Sequence, residues 1–331
     1  MFARVVVVNW NGRQWLDTCL DALRRQDVPD CELVVVDNDS SDGSRDHVRR
    51  RHPDVQLVSL DRNRGFAGGN NAGAAGARTK YLVFLNNDTR VGHGWLRALV
   101  DAAEADDSIG LITSRIVYLN APDLLDSAGD GYLRAGGGFK HCHGWPVTSA
   151  PGSREVFGVC GAAFLIRREL FDTLGGFDED FFMVYEDVDL SYRARLLGAR
   201  IVYIEDAVVE HAGSATVGWT SHDAVFFGQR NLEWAWLKNT PRRLIWRSAW
   251  PHLAYNVAGA IGYARRGQLI PWFRGKMAAL NGLRRMLAKR RGIQRRAVAD
   301  PEGLWALMDA DWIGIKRREK QFDFHHASVR R

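Results

Sequence analysis

Three carboxylates lie within four residues of one another in the segment FFMVYEDVDLSYRARLLGARI, residues 181–201. Glu186, Asp187 and Asp189 precede apolar residues at helical spacing, so the pattern places them in the first turn of a helix. Acidic residues there complement the positive end of the helix, which is a purely structural explanation. A carboxylate in a semi-apolar setting can also act as a general base, and that explanation requires further functional groups nearby.

Polar segments follow four strands that the sequence predicts in the N-terminal half. Short runs of β-branched and apolar residues predict buried strands at residues 4–9, 32–37, 55–60 and 81–85, with helices between them. The segments after these strands are NWNG, DNDSSDGS, RNRGFAGGNN and NND. In an open α/β sheet, ligands bind at the carboxyl edge of the strands, so we expect these polar segments to converge there.

Each polar segment offers a different chemistry. DNDSSDGS could recognise a base or a ribose, or it could form an Asx turn that satisfies its own backbone. In RNRGFAGGNN the glycines let the backbone approach a ligand and Arg64 could meet a phosphate, but the spacing excludes a dinucleotide fingerprint and a P-loop. Asn86 and Asp88 place two oxygen ligands at the end of a strand, as a hard cation holding a diphosphate requires.

Composition predicts an ordinary globular protein. The chain has 331 residues, of which 46% are hydrophobic and 25% charged. It contains no run of about 18 apolar residues, and the opening MFARVVVVNWNG lacks a secretory signal, which together predict a cytoplasmic protein. The four cysteines show no paired metal spacing, so we expect reduced, mostly buried thiols.

Charge is distributed unevenly along the chain. Residues 222–331 hold 22 lysines and arginines against 8 acidic residues, a net charge of +14, whereas residues 1–221 carry a net charge of −8. This basic, Trp-rich region suggests an anionic partner surface, with peripheral attachment to the inner face of the plasma membrane as one option. Amphipathic helices packed on the rest of the protein, with a solvated basic face, are the alternative. No nucleic-acid-reading motif accompanies the arginines, so we expect no nucleic-acid partner.

The second half of the chain shows a looser pattern. It predicts a helix over 95–105, a strand over 110–113, an irregular excursion with a small hairpin over 120–152, and a strand over 157–165. A helix over 168–174 and a strand over 199–204 follow, and from residue 222 the periodicity is helical, with predicted breaks at Pro241, Pro251 and Pro271.

The order of these segments resembles one family. It is similar to the inverting glycosyltransferases of family 2, with a GT-A fold, and especially to the bacterial rhamnosyltransferase-like branch. The resemblance covers roughly residues 3–240. It rests on VVNWNG, VVVDNDSSDGS, NRGFAGGNN, FLNNDT, the stretch from GAAFLIRR to YEDVDLSYRARLLG, and VEHAGSAT.

The resemblance implies roles for individual residues. Asp187 is implied as the general base, with Glu186 and Gly161 contacting the acceptor, whereas Asp189 is expected to pair with Arg193 or Arg195. Donor-binding roles are implied for Trp10, Asn11, Asp37, Asn38, Arg64, Gly65, Asn70 and Asn87. Ligands of Mg²⁺ or Mn²⁺ are implied at Asn86, Asp88 and His211, although a hydrogen-bonded structural role for His211 stays open. Asn86 departs from the family pattern, which has aspartate there, and an amide binds a divalent ion more weakly than a carboxylate.

The resemblance also implies an architecture and a reaction. The expected fold is α/β with a mostly parallel central sheet flanked by helices and a helical C-terminal extension. Residues 1–100 would bind the nucleotide sugar, 101–221 the acceptor, and 222–331 would form the basic extension. The implied activity is inverting transfer of a sugar, with dTDP-rhamnose as the leading donor, to a glycan or polyprenyl-linked glycan acceptor in cell-surface polysaccharide synthesis. UDP-galactofuranose or a UDP-hexose as donor, a non-catalytic sugar-nucleotide-binding scaffold, and a homodimer all stay open.

Overall fold

The structure is a computed structural model that describes residues 2–28, 30–213 and 221–325. Within these residues the chain forms twelve strands and twelve α-helices. The strands are β1 Ala3–Asn9, β2 Cys31–Asp37, β3 Gln56–Ser59, β4 Tyr81–Asn86, β5 Thr89–Val91, β6 Ile109–Tyr118, β7 Ala121–Ser127, β8 Asp130–Tyr132, β9 Gly138–Lys140, β10 Arg154–Glu155, β11 Ala163–Arg167 and β12 Arg200–His211. The helices are α1 Arg13–Arg24, α2 Ser44–Arg51, α3 Gly65–Ala74, α4 Trp95–Ala105, α5 Arg168–Leu174, α6 Glu186–Leu196, α7 His222–Asn239, α8 Arg242–Ala264, α9 Leu269–Asn281, α10 Leu283–Arg296, α11 Pro301–Ala306 and α12 Trp312–His325. The last residues of the VEHAGSAT segment, 214–216, lie outside the described residues.

Ten strands form one sheet whose main path runs β10-β12-β6-β11-β4-β1-β2-β3. The strands β3, β2, β1, β4, β6 and β12 share one direction, and β11 runs antiparallel to both of its neighbours. The predicted α/β fold with a mostly parallel sheet and a helical C-terminal region is therefore confirmed. Because β11 is reversed, its first residues lie at the edge where the parallel strands end.

The core lies on both faces of this sheet. In β1, Val5 and Val7 pack on one side with α1 and α4, whereas Val6 packs on the other side with residues of α3. Burial on both faces explains why this strand is a continuous apolar run rather than an alternating one. The sheet thereby fixes the backbone that carries the polar segments at its edge.

The strand predicted over 157–165 is wrong in its first half. The observed strand is Ala163–Arg167, and the buried residues before it run as a loop across the edge of the sheet. Their N–H groups go to side chains instead of a β-ladder: Val159 donates to Ser191 and Cys160 donates to Thr113. An apolar run by itself does not distinguish a buried strand from such a loop.

The helix break predicted at Pro251 is also wrong, because this proline lies inside α8. The inward face of α8 buries Leu244, Ser248 and His252, and this tertiary packing outweighs the cost of about 3 kcal/mol that a proline imposes on a helix interior. Pro241 caps the start of α8 as predicted. Pro271 lies in the first turn of α9, where a missing N–H leaves no hydrogen bond unmade.

The C-terminal helices pack on the rest of the protein through small apolar clusters. Phe181 packs with Trp234 of α7 and Met286 of α10, and Leu133 packs with Ile315 of α12. Among the helices that the structure describes, none combines the length and the apolar character needed to cross a bilayer.

Candidate active site

A cavity of about 930 Å³ opens at the carboxyl edge of the sheet. It is lined by residues that follow β1, β2, β3 and β4, by the loop before β11, by the start of α6 and by the C-terminal helices. The prediction that the four polar segments converge at this edge is confirmed. Ten of the fourteen predicted site residues line the cavity, and four lie outside its lining.

Asp187 lies at the floor of this cavity in the first turn of α6. Its Oδ2 accepts a hydrogen bond of 2.9 Å from the backbone N–H of Gly161, and its Oδ1 accepts one of 2.7 Å from Val188. Burial raises the pKa of Asp187, and the two N–H donors oppose this effect only in part. The result is a carboxylate in a fixed orientation that binds a proton more tightly than an exposed aspartate, as a general base needs.

Glu186 is buried beside Asp187 and also lines the cavity. Its Oε2 has no hydrogen-bond partner among the described residues. Burial and the charge of Asp187 raise the pKa of Glu186 well above its ordinary value. The pKa of Glu186 is raised more strongly than that of Asp187, so Glu186 is the carboxyl of the pair that binds a proton more readily.

Asp189 points away from the cavity into the protein. It forms ion pairs with Arg193 at 2.8 Å and with Lys238 at 2.7 Å, and it accepts a hydrogen bond from Asn239. These cations outweigh burial and lower the pKa of Asp189. The predicted structural role of Asp189 as a partner of Arg193 is confirmed.

The backbone before α6 adopts an unusual conformation. Phe182, Val184 and Tyr185 have φ values of 63°, 65° and 75°, in a region that residues with side chains rarely occupy. The side-chain amide of Asn231 holds this segment by donating to the carbonyls of Phe181, Met183 and Val184. This bend turns Glu186 and Asp187 into the cavity, and nothing in the sequence pattern around Asn231 signals its role.

Asn86, Asp88 and His211 meet at the lining of the same cavity. The short strand β5 follows Asp88 and pairs with the end of β12, so that His211 lies across from Thr89. His211 Nε2 is 3.3 Å from Asp88 Oδ1 and 3.4 Å from the side-chain amide of Asn86. Metal–ligand bonds of about 2.0–2.2 Å place neighbouring ligand atoms about 3 Å apart, so Asp88 Oδ1 and His211 Nε2 are spaced as two ligands of a divalent cation would be. Asn86 would ligate through its amide oxygen, whereas its amide nitrogen faces His211 here.

Asp126 supports His211 from behind, a contact that the sequence did not reveal. Its Oδ2 lies 3.0 Å from His211 Nδ1, and Lys140 donates to both of its oxygens at 2.7 and 2.9 Å. Burial lowers the pKa of His211, but the carboxylates of Asp88 and Asp126 outweigh it and raise that pKa to about 9. Asp126 and Lys140 come from β7 and β9, within the excursion for which the sequence predicted only a small hairpin, and β8 and β9 form that hairpin.

Asp130 is a further carboxylate of the same excursion that lines the cavity. The hydroxyl of Ser127 donates to it at 2.9 Å. Burial and the charge of Asp187 raise the pKa of Asp130 to about 7. Asp130 is therefore electrostatically coupled to the predicted base, which spacing alone could not show because 57 residues separate them.

Four predicted donor-binding residues line the cavity: Trp10, Asn38, Gly65 and Asn87. The indole of Trp10 is 38% exposed and free to cover a planar ligand. The side-chain amide of Asn38 instead forms hydrogen bonds within the protein: it accepts from the backbone N–H of Arg64 and donates to the carbonyl of Gly65. Gly65 has a φ of +69°, and a Cβ there would lie 2.3 Å from the carbonyl oxygen of Phe182, so only glycine permits this contact between donor loop and α6.

The structure does not bring four other predicted donor-binding residues to the cavity. Arg64 pairs with Glu179 at 2.8 Å, and Asp37 accepts from Arg45. Asn70 is buried and donates to the carbonyl of Phe66, and Asn11 accepts from the backbone of Ser41 within a turn. These four side chains hold the loops in place. Their predicted contact with a donor stays a prediction, and it would require the hydrogen bonds and ion pairs just described to break.

The C-terminal helices supply one wall of the cavity, although the sequence indicated only a basic extension. Tyr255 and Tyr263 of α8 and Trp312 and Lys316 of α12 line it. Lys316 donates to the carbonyl of Gly138 at 3.0 Å, and the N–H of Gly138 donates to the hydroxyl of Tyr185 at 3.1 Å. Residues 222–325 therefore contribute to the site itself.

Sequence comparison gives a consistent assignment. The family model described as Glycosyl transferase family 2 matches residues 4–175. An N-acetylglucosaminyl-diphospho-decaprenol L-rhamnosyltransferase of Mycobacterium tuberculosis is 29% identical over 236 residues, covering 65% of this chain and 77% of that protein. The O-antigen biosynthesis protein RfbC of Myxococcus xanthus is 30% identical over 214 residues, covering 61% of this chain and 16% of that protein.

Solved structures with the same fold bind nucleotide sugars. A mannosyltransferase from Pyrobaculum calidifontis in complex with GDP-Man and Mn²⁺ superposes with a TM-score of 0.54 at 19% identity, covering 89% of this chain and 85% of that one. TarS of S. aureus in complex with UDP-GlcNAc gives a TM-score of 0.57 at 17% identity, covering 89% and 88%. At these identities the likeness shows the fold alone.

Proposed function

This chain belongs to glycosyl transferase family 2, and from that membership we propose that it transfers a sugar from a nucleoside-diphosphate donor to a glycan hydroxyl with inversion of the anomeric configuration. One observation carries the proposal: Asp187, held by the N–H of Gly161, lines the same cavity as the adjoining pair Asp88 and His211. The proposed base and the proposed diphosphate-binding groups thus share one cavity.

The first chemical task is to activate the acceptor hydroxyl. An alcohol is a poor nucleophile, so a carboxylate within about 2.6–3.2 Å must take its proton as the new bond forms. Asp187 has the charge and the raised pKa for this role. Glu186, whose pKa is raised well above its ordinary value, has an unpartnered carboxyl oxygen that would form a hydrogen bond with the acceptor.

The second task is to stabilise the leaving nucleoside diphosphate. Asn86, Asp88 and His211 would hold Mg²⁺ or Mn²⁺, and the bound cation would neutralise the charge that develops on the diphosphate. Asp126 keeps Nδ1 of His211 engaged, which leaves Nε2 directed toward Asp88. Trp10, which is 38% exposed, would stack on the base.

The donor that best fits is dTDP-rhamnose, and the printed activity of the mycobacterial relative supports rhamnose as the sugar. That relative's name also indicates a lipid-linked acceptor, a sugar on a diphospho-decaprenol, which supports a polyprenyl-linked glycan as acceptor here. UDP-galactofuranose or a UDP-hexose would fit the same cavity. The O-antigen relative supports a place in cell-surface polysaccharide synthesis.

A lipid-linked acceptor requires access to a membrane surface, and the outer face of α8 and α9 fits this need. Trp246, Trp250, Leu253, Val257 and Ile261 recur every three or four residues on α8 and are 49–78% exposed. Their face is opposite to the one that buries Leu244, Ser248 and His252 and lines the cavity. On α9, exposed apolar residues are Leu269, Ile270, Phe273, Met277 and Leu280.

We name these ten residues the apolar stripe and assign its partner as an anionic leaflet, because the surrounding region carries the net charge of +14. The protein would then act as a peripheral enzyme at the inner face of the plasma membrane. The alternative is that two copies of the chain associate through the apolar stripe and form a homodimer. Vesicle-binding and sedimentation measurements together distinguish this homodimer from membrane attachment.

A non-catalytic sugar-nucleotide-binding scaffold would also use this fold. The paired carboxyls argue for catalysis, because burying Glu186 and Asp187 together costs stability that a binding protein has no reason to bear.

The proposal is tested by titrating the protein with dTDP, UDP and GDP, each with Mn²⁺ and then with excess chelator, and by assaying D187N. Loss of the base should lower turnover of the donor that binds by about 10²–10⁴-fold and leave nucleotide affinity unchanged. D223N is the matched control, because Asp223 is an exposed carboxylate at the rim of the same cavity. Full turnover by D187N, or binding of none of the three nucleotides, would refute the proposal.

A further inference from the structure

The cavity extends beyond the catalytic carboxyls into a channel between α8 and α12. Tyr255, Gly259 and Gly262 line it from α8, and Trp312, Lys316 and Lys320 line it from α12. Glycine weakens a helix by about 1 kcal/mol relative to alanine, and these two glycines face the channel, where they leave the wall without side chains. The α8 sequence thus gives up helical stability and keeps this channel open.

The far end of the channel is cationic. Lys320 lies on α12 one turn after Lys316, a rise of about 6 Å, and its Nζ would be 3.5 Å from a Cβ on Gly262. Arg266 lines the channel one turn beyond Gly262 on α8. Lys316 is paired with Glu319 at 2.8 Å. Arg266 and Lys320 are exposed at this end of the channel, and their side chains have no hydrogen bond or ion pair with any residue that the structure describes.

The electrostatics agree with this geometry. Partial burial and the positive charges of Arg266, Lys316 and Arg265 lower the pKa of Lys320. Cations that repel one another at the end of a channel lose that repulsion when an anion lies between them. A phosphate ester supplies oxygens for both a guanidinium and an ammonium group.

The channel also has a direction. It starts at Asp187, where the reacting hydroxyl of an acceptor sugar would lie. Tyr185, Gly138 and Lys316 follow along its wall and are joined by hydrogen bonds. A group attached to the far side of that acceptor sugar would point toward Arg266 and Lys320. The outer face of the same helix α8 carries the apolar stripe.

We propose that Arg266 and Lys320 bind a phosphate or diphosphate on the acceptor, so that the acceptor class is a glycosyl phosphate carried by a lipid. This inference rests on the proposed function, because it takes Asp187 as the position of the acceptor hydroxyl. It assigns acceptor binding to the C-terminal helices rather than to residues 101–221 alone.

The test uses farnesyl diphosphate as a soluble probe, titrated calorimetrically into the full chain with chelator present so that no divalent cation recruits the diphosphate to Asp88. We expect R266Q/K320Q to bind the probe at least about tenfold more weakly than the native chain, since each substitution removes a charge-assisted contact. The control is R317Q/R318Q, which makes the same charge change on the other face of α12. We expect charge reversal in R266E/K320E to abolish binding.

Several results would overturn the inference. The first is equal affinity of the two glutamine double variants for farnesyl diphosphate, and the second is no binding of this probe by the native chain. The third is that R266Q/K320Q loses binding to phosphatidylglycerol vesicles but not to farnesyl diphosphate, which would make Arg266 and Lys320 a contact for lipid headgroups. Titration with the nucleotide and Mn²⁺ is run in parallel on every variant. If every variant still binds the nucleotide but R266Q/K320Q and R317Q/R318Q bind the probe equally well, only this inference is rejected. The proposed function is tested separately, by the turnover of D187N.

Discussion

Asp126 and the ring of His211 are joined by a hydrogen bond of 3.0 Å between Oδ2 and Nδ1, across 85 residues of sequence. The contact directs the other ring nitrogen, Nε2, toward Asp88 at 3.3 Å. A carboxylate behind a ligating histidine fixes the orientation of the ring and raises its basicity. Asp126 would therefore position His211 for the proposed cation site without being a ligand itself.

Substituting Asp126 should weaken the cation site. We expect D126N to lower the affinity for Mn²⁺, measured by calorimetry with the nucleotide present, by about 10–100-fold. D123N is the control, because Asp123 is an exposed aspartate of the same strand. Since D126N leaves the charge of Lys140 without its partner, D126N/K140M removes both charges, and native Mn²⁺ affinity in this folded double variant would contradict the positioning role.

Asn86 replaces the aspartate that the family pattern has at this position, and restoring the carboxylate should tighten metal binding. We expect N86D to bind Mn²⁺ about tenfold more strongly, because ligand charge sets the affinity of oxygen sites. D88A should lose metal-dependent nucleotide binding in the same titration. Equal Mn²⁺ affinity in N86D and the native chain would exclude Asn86 from the ligand set.

The coupling between Asp130 and Asp187 predicts a shift in the pH profile. The charge of Asp187 raises the pKa of Asp130, and the effect is mutual, so D130N removes a negative neighbour from the base. We expect the pKa of Asp187 to fall and the acid limb of kcat/KM to move to lower pH in D130N. An unchanged or upward-shifted limb in the pH–rate profile would disprove the coupling.

The same group predicts a dependence of stability on pH. Burial raises the pKa of Asp130 from its ordinary 3.8 to about 7 in the folded protein, so folding takes up a proton between these two pH values. Its contribution to stability is complete below about pH 3.8 and is lost as the pH rises through about 7. Urea unfolding between pH 5 and 8 should therefore show a smaller loss of stability in D130N than in the native chain.

Asn231 should stabilise the backbone that presents Glu186 and Asp187. Its amide donates to three carbonyls of the left-handed segment, so N231A should lower the free energy of unfolding by about 1–3 kcal/mol. Turnover should fall more than nucleotide affinity, because the base moves while the donor side is untouched. N256A on α8 is the control, and equal effects of the two substitutions on turnover would argue against this role for Asn231.

The apolar stripe should bind anionic vesicles. Trp246 and Trp250 are 72% and 78% exposed, and W246S/W250S should weaken sedimentation with phosphatidylglycerol vesicles by at least about tenfold. Added salt should weaken the native chain's binding too, because the basic residues contribute. W145S, at another exposed tryptophan, should behave like the native chain, and no vesicle binding by the native chain would reject the membrane assignment.

The sequence by itself determined the frame and most of the site. The buried strands, the polar segments after them and the Glu186-Asp187 pair at a helix start are local patterns, set by burial periodicity and helix-end electrostatics. Parallel topology then brings Asn86, Asp88 and Asn38 to one edge without any knowledge of side-chain packing. Asp189 could likewise be assigned to Arg193 because the two are four residues apart on one helix.

Tertiary structure alone decided the rest, because the contacts involved join segments distant in sequence. Asp126, Asp130 and Lys140 come from an excursion with no periodic pattern, and the channel between α8 and α12 depends on how two distant helices pack. Arg64 is a residue whose partner in this structure the sequence did not predict. Its loop suggested a phosphate ligand, but Glu179, 115 residues away, pairs with its guanidinium. Residue type and local spacing specify what a side chain can do, and only packing specifies which group it meets.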